Sequence, residues 1–356
     1  MNFTNDNKNT ECYALSRLEE YLSYSSINPQ CRYFVKTDNA FTRKARLLQA
    51  IRREESGSAC GSITKNGVTY YHSNLATEGD VTGCNFLCPE IFKYATWRIK
   101  HKKPYEIINE DRLFNNFLSS QPMAFNLFVP LMKIVQIDEG KNRLAATVAK
   151  LLDNKYKLSI RRITEVGIEF IPPYYSECLN DKTAMDAFFR YERADGGHGI
   201  IAIETKYTDI LGTNPASNPS FAIRQAIKNK GISLLLTQEG IEDITKGNIK
   251  LSQVYRNFLL TETVRLHEHL DDSISIILSP KQNTSNKVDE SRLHAILKDE
   301  YKYKFQTVTL ESFLSALIEE FSETDIFRRF EKRYLDFTRV EQLINDAERY
   351  ESLKQL

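Results

Sequence analysis

The stretch AMDAFFRYERADGGHGIIAIETK, residues Ala184–Lys206, reads as two apolar segments on either side of a polar, glycine-bearing loop. Thr183–Tyr191 and Ile200–Tyr207 are strand candidates, rich in aromatic and β-branched residues. Arg193–Gly197 carries two glycines able to take positive φ. Closed as an antiparallel hairpin over that loop, Tyr191-Glu192 opposes His198-Gly199. Counting along the strands then sets Asp186 opposite Glu204 and Ala184 opposite Lys206. Directly opposed residues have Cβ atoms about 4.5–5.5 Å apart, and these four share one face of the sheet. Met185, Ala187 and Phe189, with Ile201 and Ile203, lie on the other face and must meet a core.

Two carboxylates side by side on a buried sheet are costly, because like charges repel and desolvation penalises each. Lys206, two residues along the same face, is a partial remedy, and a divalent cation is a complete one. Mg²⁺ prefers oxygen donors, takes one or two carboxylates from a protein and keeps waters that can serve as nucleophile. The plain alternative is a structural ion pair. Acid-x-Lys recurs at Asp6/Lys8, Glu139/Lys141, Asp153/Lys155 and Glu300/Lys302, all in polar segments that read as solvated surface. Glu204-Thr205-Lys206 differs in following the core strand Gly199–Ile203.

Around the hairpin, Val166, Ile168 and Phe170 alternate with Glu165, Gly167 and Glu169, the period of a half-buried strand. Upstream, Ser119-Ser120-Gln121-Pro122 starts a helix in which Met123, Leu127, Phe128, Leu131, Met132 and Val135 recur at helical spacing, with Pro130 as a kink. Downstream come a short helix candidate at Phe221–Lys230, a long one at Leu251–Leu270 with Val254, Tyr255, Phe258 and Leu259 inward, and a strand at Ser273–Leu278. A further strand at Phe305–Leu310 and helices from Glu311 onward complete the chain.

The order helix, strand, Asp-bearing strand, Glu-x-Lys strand, helix, strand resembles the PD-(D/E)xK nuclease superfamily, over roughly residues 109–280. The resemblance implies an α/β (α+β-like), restriction-endonuclease-like core: a mixed central sheet flanked by helices in the order α-β-β-β-α-β, with N- and C-terminal helical additions. It divides the chain into an extension at 1–108, a nuclease core at 109–280 and an α/β extension at 281–356. Asp186 and Glu204 would bind the metal with the Thr205 carbonyl, and Lys206 would assist the attacking water. The Pro of the family's name is absent, since Met185 precedes Asp186. The resemblance further implies Glu169 as an extra acid that would be a third metal ligand or bind a second ion, Gln253 as a residue that holds the site, and Arg256 as a phosphate contact. Ser120, Gln121 and Asn126 are similar to substrate-facing groups of one bacterial branch. Mg²⁺, replaceable by Mn²⁺, is the implied cofactor. DNA is the implied substrate in preference to RNA, in a restriction, defence or repair role, with a homodimer for double-strand cutting. The competing reading is a catalytically inactive nucleic-acid-binding or assembly protein that keeps the fold.

Composition is compatible with this and selects no partner: Lys plus Arg number 48 against 47 Asp plus Glu in 356 residues, a net charge of +1. A nucleic-acid binder with this balance must concentrate its positive charge locally. Two basic clusters are available, a helix candidate over Asn39–Glu55 and the run Lys100–Lys103. The polar start Met1–Thr10 and the absence of a long apolar run point to a cytoplasmic protein that does not enter a membrane. The six cysteines lack a framework spacing and are expected as unpaired thiols. Serine and cysteine triads, a phosphate-binding P-loop and paired histidine ligands are not encoded.

Overall fold

The computed structural model describes residues 31–33, 35–152, 159–180, 182–209, 227–228, 231–246 and 253–354. The helix expected over Phe221–Lys230 lies almost wholly outside them. The chain packs as two compact units, each assembled from separated stretches. Among the described residues, no helix is long and apolar enough to cross a membrane.

The first unit takes residues up to 92, 109–122 and 328 onward. Its sheet of three strands has β3 (Val68–Ala76) at the centre, parallel to β1 (Cys31–Arg32) and antiparallel to β2 (Cys60–Lys65). Helix α1 (Ala40–Glu55) starts where Asn39 Oδ1 accepts from Thr42 N at 2.8 Å, an N-cap that satisfies one of the orphan amides. This is the basic helix of the sequence, and two of its arginines are internal rather than phosphate-facing. Arg46 is buried against Asp38 at 2.6 Å and Asn74 Oδ1 at 2.5 Å, and Arg53 Nε donates to Ser73 O at 2.7 Å. The expectation of unpaired cysteines fails at Cys60, which is disulfide-bonded. Scatter along a sequence says nothing about which thiols the fold brings together. Cys84, Cys88 and Cys178 are not in disulfides.

The second unit comprises residues 93–108 and 123–327. Its five strands lie in chain order: β4 (Ile160–Phe170), β5 (Met185–Arg193), β6 (His198–Thr205), β7 (Asp272–Ser279) and β8 (Phe305–Thr309). The first three are antiparallel neighbours and the last three run parallel, so the sheet is mixed. Parallel neighbours need a crossover between them, and the chain from β6 to β7 includes α5 (Gln253–His267); before it come α2 (Pro89–Lys100), α3 (Ser120–Ile134) and α4 (Asp138–Leu151), and after β8 comes α6 (Leu310–Glu320). Both faces of the sheet are buried, as a partly parallel sheet requires. On one, Phe189 packs on Phe128 of α3, which also meets Phe313 of α6, at ring-centroid distances of 5.8 and 6.4 Å. On the other, Phe188, Ile200, Ala202 and Ile277 share a core with Tyr255, Phe258 and Leu259 of α5.

The hairpin has the register read from the sequence, from Glu192↔His198 through Ala187↔Ile203. Of its two loop glycines, Gly196 takes the positive φ, +87°. Pro130 sits inside α3 without ending it. The expected alternation in β4 breaks down at its end, where Val166, Gly167, Ile168 and Glu169 are all buried. Glu169 adopts φ +50°, a left-handed conformation uncommon outside glycine. Glu165, across from Arg190 in the register, is exposed with Arg190 Nε 3.1 Å away, whereas Glu169 is buried.

Candidate active site

The paired part of the hairpin ends at Ala187 and Ile203, one step short of the two acids. Beyond it a side chain continues the pairing: Asp186 Oδ2 accepts from Thr205 N at 2.8 Å and from Thr205 Oγ1 at 2.9 Å. Oδ1 stays outside both bonds. Glu204 is buried, and its two oxygens face different partners. Asn257 Nδ2 of α5 donates to Oε2, and Lys206 Nζ lies 2.5 Å from Oε1. β6 ends at Thr205, which lets Lys206 fold back to the acid two residues before it while its own amide donates to Leu278 O at 2.9 Å.

Electrostatics follow from this crowding. Burial raises the Asp186 pKa, against the opposing pull of Lys206 and the Thr205 hydrogen bonds. Burial also pushes Glu204 up to about 7, helped by the neighbouring Asp186 charge and opposed by Lys206 and Asn257. Burial alone would depress Lys206, but Glu204 and Asp186 overcome it and hold the ammonium above its ordinary value. Apolar walls reinforce the effect, because a small cavity bounded by Glu204 and Asn257 is otherwise lined by Met185, Ala202, Ile277 and Phe305, with Ser275.

Sequence reasoning missed two residues. Asn257 lies four residues after Gln253, the spacing that repeats a helix face, so the face was legible but the residue was not. Asp209, three residues past Lys206, adds its negative charge to both Asp186 and Lys206, and the end of the strand left no periodicity to place it. Asn283 Nδ2 holds this segment through Tyr207 O and Asp209 O, each at 3.1 Å.

The expected site residues divide as follows. Asp186, Glu204, Thr205 and Lys206 come together. Glu169 falls across from Asp186 in the β4–β5 register, between Ile168↔Ala187 and Phe170↔Met185, and its carbonyl accepts from Arg98 Nη2 at 3.1 Å. Gln253 opens α5, with a side chain outside the described residues. Arg256 is half-buried on α5, next to Asn257. Asn126 is buried within α3. Ser120 and Gln121 open that helix in the first unit, where Gln121 N donates to Ser119 Oγ at 3.2 Å.

The donor set fits a divalent cation. Most buried polar atoms in proteins find partners, yet the oxygens Asp209 Oδ2 and Asn257 Oδ1 are buried without a hydrogen bond among the described residues, and Glu204 Oε1 has the Lys206 ammonium beside it. One lysine also leaves the acids of this segment under-neutralised. Among the described residues, no group of three or more His, Cys, Asp or Glu side chains is arranged to hold an ion. The Asp186 and Glu204 carboxylates are a sparse donor set, of the kind a hard divalent cation completes with waters.

Comparison with curated proteins finds no match, and comparison with solved structures finds none. A family model described as the PD-(D/E)XK nuclease superfamily matches residues 36–336. Nucleases of this superfamily generally use divalent metal ions. With a five-stranded mixed sheet flanked by helices and an Asp, Glu and Lys gathered at the end of its hairpin, the chain belongs to the PD-(D/E)XK nuclease superfamily.

Proposed function

We propose that this protein hydrolyses phosphodiester bonds in DNA with Mg²⁺ as cofactor, and that Asp186, Glu204 and Lys206 form the reacting centre. The observation that carries this reading is the pair of acids at the ends of β5 and β6, with Lys206 Nζ 2.5 Å from Glu204 Oε1 and Asp186 fixed by Thr205. Asp186, Glu204 and the Thr205 carbonyl are the residues that would hold the ion. When bound, it supplies Lewis-acid polarisation of the phosphate and a more acidic water.

The remaining roles belong to the chain. Lys206 keeps its proton at Nζ, because two acids stabilise the ammonium, and it stabilises negative charge growing on the phosphate oxygens. Thr205 holds Asp186 Oδ2, and Asn257 holds Glu204 Oε2. Arg256, with Nε unpartnered among the described residues, binds a substrate phosphate. Glu169 adds an acid across from Asp186. Gln253 supports the same helix face as Asn257, and Ser120, Gln121 and Asn126 contribute to the substrate side. Mn²⁺ substitutes for Mg²⁺, and a restriction, defence or repair role suits the activity.

Purified protein would be tested on plasmid, single-stranded DNA and RNA with Mg²⁺, Mn²⁺ or EDTA, beside folded Asp186→Ala and Lys206→Ala variants. Metal-dependent cutting lost in both variants supports the reading. A wild type that binds nucleic acid but neither cuts nor binds Mn²⁺ by calorimetry overturns it in favour of a non-catalytic binding protein.

A further inference from the structure

The chain's single tryptophan, Trp97, is 52% exposed on α2. An exposed aromatic residue is ordinary by itself, but this one is held in a stack. The His101 ring lies on one face of it at 4.8 Å between centroids and 25° between planes, and the Tyr94 ring is 5.8 Å away, tilted at 32°. His101 Nδ1 is 2.8 Å from Trp97 O, so this nitrogen carries a proton and donates it, which fixes the ring's orientation. Lys93, Trp97, Lys100 and His101 recur at the spacing of one helix face, and all four are exposed.

Charge on this segment has one sign. Between Lys93 and Tyr105 the chain carries Lys93, Arg98, Lys100, Lys102 and Lys103, and neither Asp nor Glu. Arg98 is engaged with Glu106 at 2.8 and 2.9 Å. The same guanidinium donates to Glu169 O, in the strand beside Asp186. The stacked, lysine-edged face is thus tied by a hydrogen bond to the strand that borders the candidate centre. A protein with a net charge of only +1 concentrates positive charge at this segment, as a polyanion partner requires.

We propose that this face of α2 binds an unpaired stretch of nucleic acid, one base lying on the Trp97 indole and Lys93 and Lys100 contacting the flanking phosphates. The placement beside the reacting centre rests on the nuclease reading above; the binding itself does not. Flat aromatic faces take any unpaired base, whereas paired bases in a duplex have their faces already covered. Single strands are therefore favoured over duplex, without sequence preference.

Because Trp97 is the only indole, its emission reports on this surface directly. The full chain in EDTA would be titrated with oligothymidylate, oligouridylate, a fully paired hairpin and heparin, while anisotropy of a labelled oligothymidylate gives affinity. Expected results are saturable quenching by the two single strands and little by the hairpin or heparin. Trp97→Ala should weaken binding about tenfold and Trp97→Tyr should restore most of it. Lys93→Ala and Lys100→Ala should each lower the salt dependence of binding by roughly 0.7 in log–log slope. Equal quenching by heparin or by the hairpin overturns the proposal, and so does unchanged affinity in Trp97→Ala. Quenching by a wild type that never cleaves with Mg²⁺ or Mn²⁺ leaves this surface standing and removes the nuclease reading; cleavage without quenching does the reverse.

Discussion

The Asp186 carboxylate occupies the position in the β5–β6 ladder where a main-chain carbonyl would stand, accepting both the amide and the hydroxyl of Thr205 through Oδ2. A side chain that replaces a ladder bond is fixed as rigidly as the sheet, and it turns its second oxygen away from the strand pair. The same residue that ends the hairpin's regular pairing is thereby the best-positioned acid of the cluster.

Removing the hydroxyl alone tests that arrangement. Thr205→Val keeps the shape and the amide bond but deletes the Oγ1 bond, at a cost of about 1 kcal/mol in stability. Mn²⁺ affinity, read by calorimetry, should fall with it, and Thr205→Ser should recover most of the loss. Unchanged metal affinity in the valine variant would show that Asp186 does not depend on this bond.

Asn257 holds Glu204 from α5. Asn257→Ala should lower the cleavage rate about tenfold, through a looser carboxylate, with KM nearly unchanged. Asn257→Asp should do more harm, since a further acid beside Glu204, added to Asp186, repels it. Equal kcat in wild type and both variants would remove Asn257 from the site.

The pH behaviour of the metal-free protein has a definite sign. Glu204 is pushed up to about 7 by burial and by Asp186, so the folded chain binds that proton more tightly than the unfolded chain does. Its stabilising effect is present at low pH and is lost as pH rises through the folded value. In EDTA, Tm should therefore fall between the ordinary carboxylate range and about pH 7, and Glu204→Gln should flatten that fall. Mg²⁺ should offset the loss and release protons as it binds. A Tm that climbs over this window, equally in both proteins, would contradict the assignment.

Arg256 carries a buried Nε with no hydrogen bond among the described residues. Bound to a phosphate, it would acquire the partner it lacks. Arg256→Ala should weaken nucleic-acid binding about tenfold. Arg256→Lys should restore charge but not the forked geometry, recovering only part of the affinity. Anisotropy in EDTA measures this without cleavage, and wild-type affinity in the alanine variant would end the assignment.

The extent to which the sequence was legible differs from element to element. Strand alternation and a five-residue polar loop sufficed for the β5–β6 register, because a one-residue slip would reverse every side chain between faces. From that register alone the two acids and Lys206 were placed together. Helix α5 was legible for the same kind of reason, its apolar residues recurring at helical spacing from Tyr255 to Leu259. The burial of Glu169 was not, since alternation says which residues share a face and nothing of what covers that face.

What only the tertiary structure decided is what arrives from distant segments. Asn257 reaches Glu204 across 53 positions of sequence, Arg98 reaches Glu169 across 71, and the arginines of α1 turn inward to Asp38, Asn74 and Ser73. Periodicity encodes which side of an element is apolar, so the sequence by itself determined the hairpin, the core strands and the meeting of Asp186, Glu204 and Lys206. It does not encode which polar groups of separate elements meet, because those pairings are selected by packing once the chain has closed on itself.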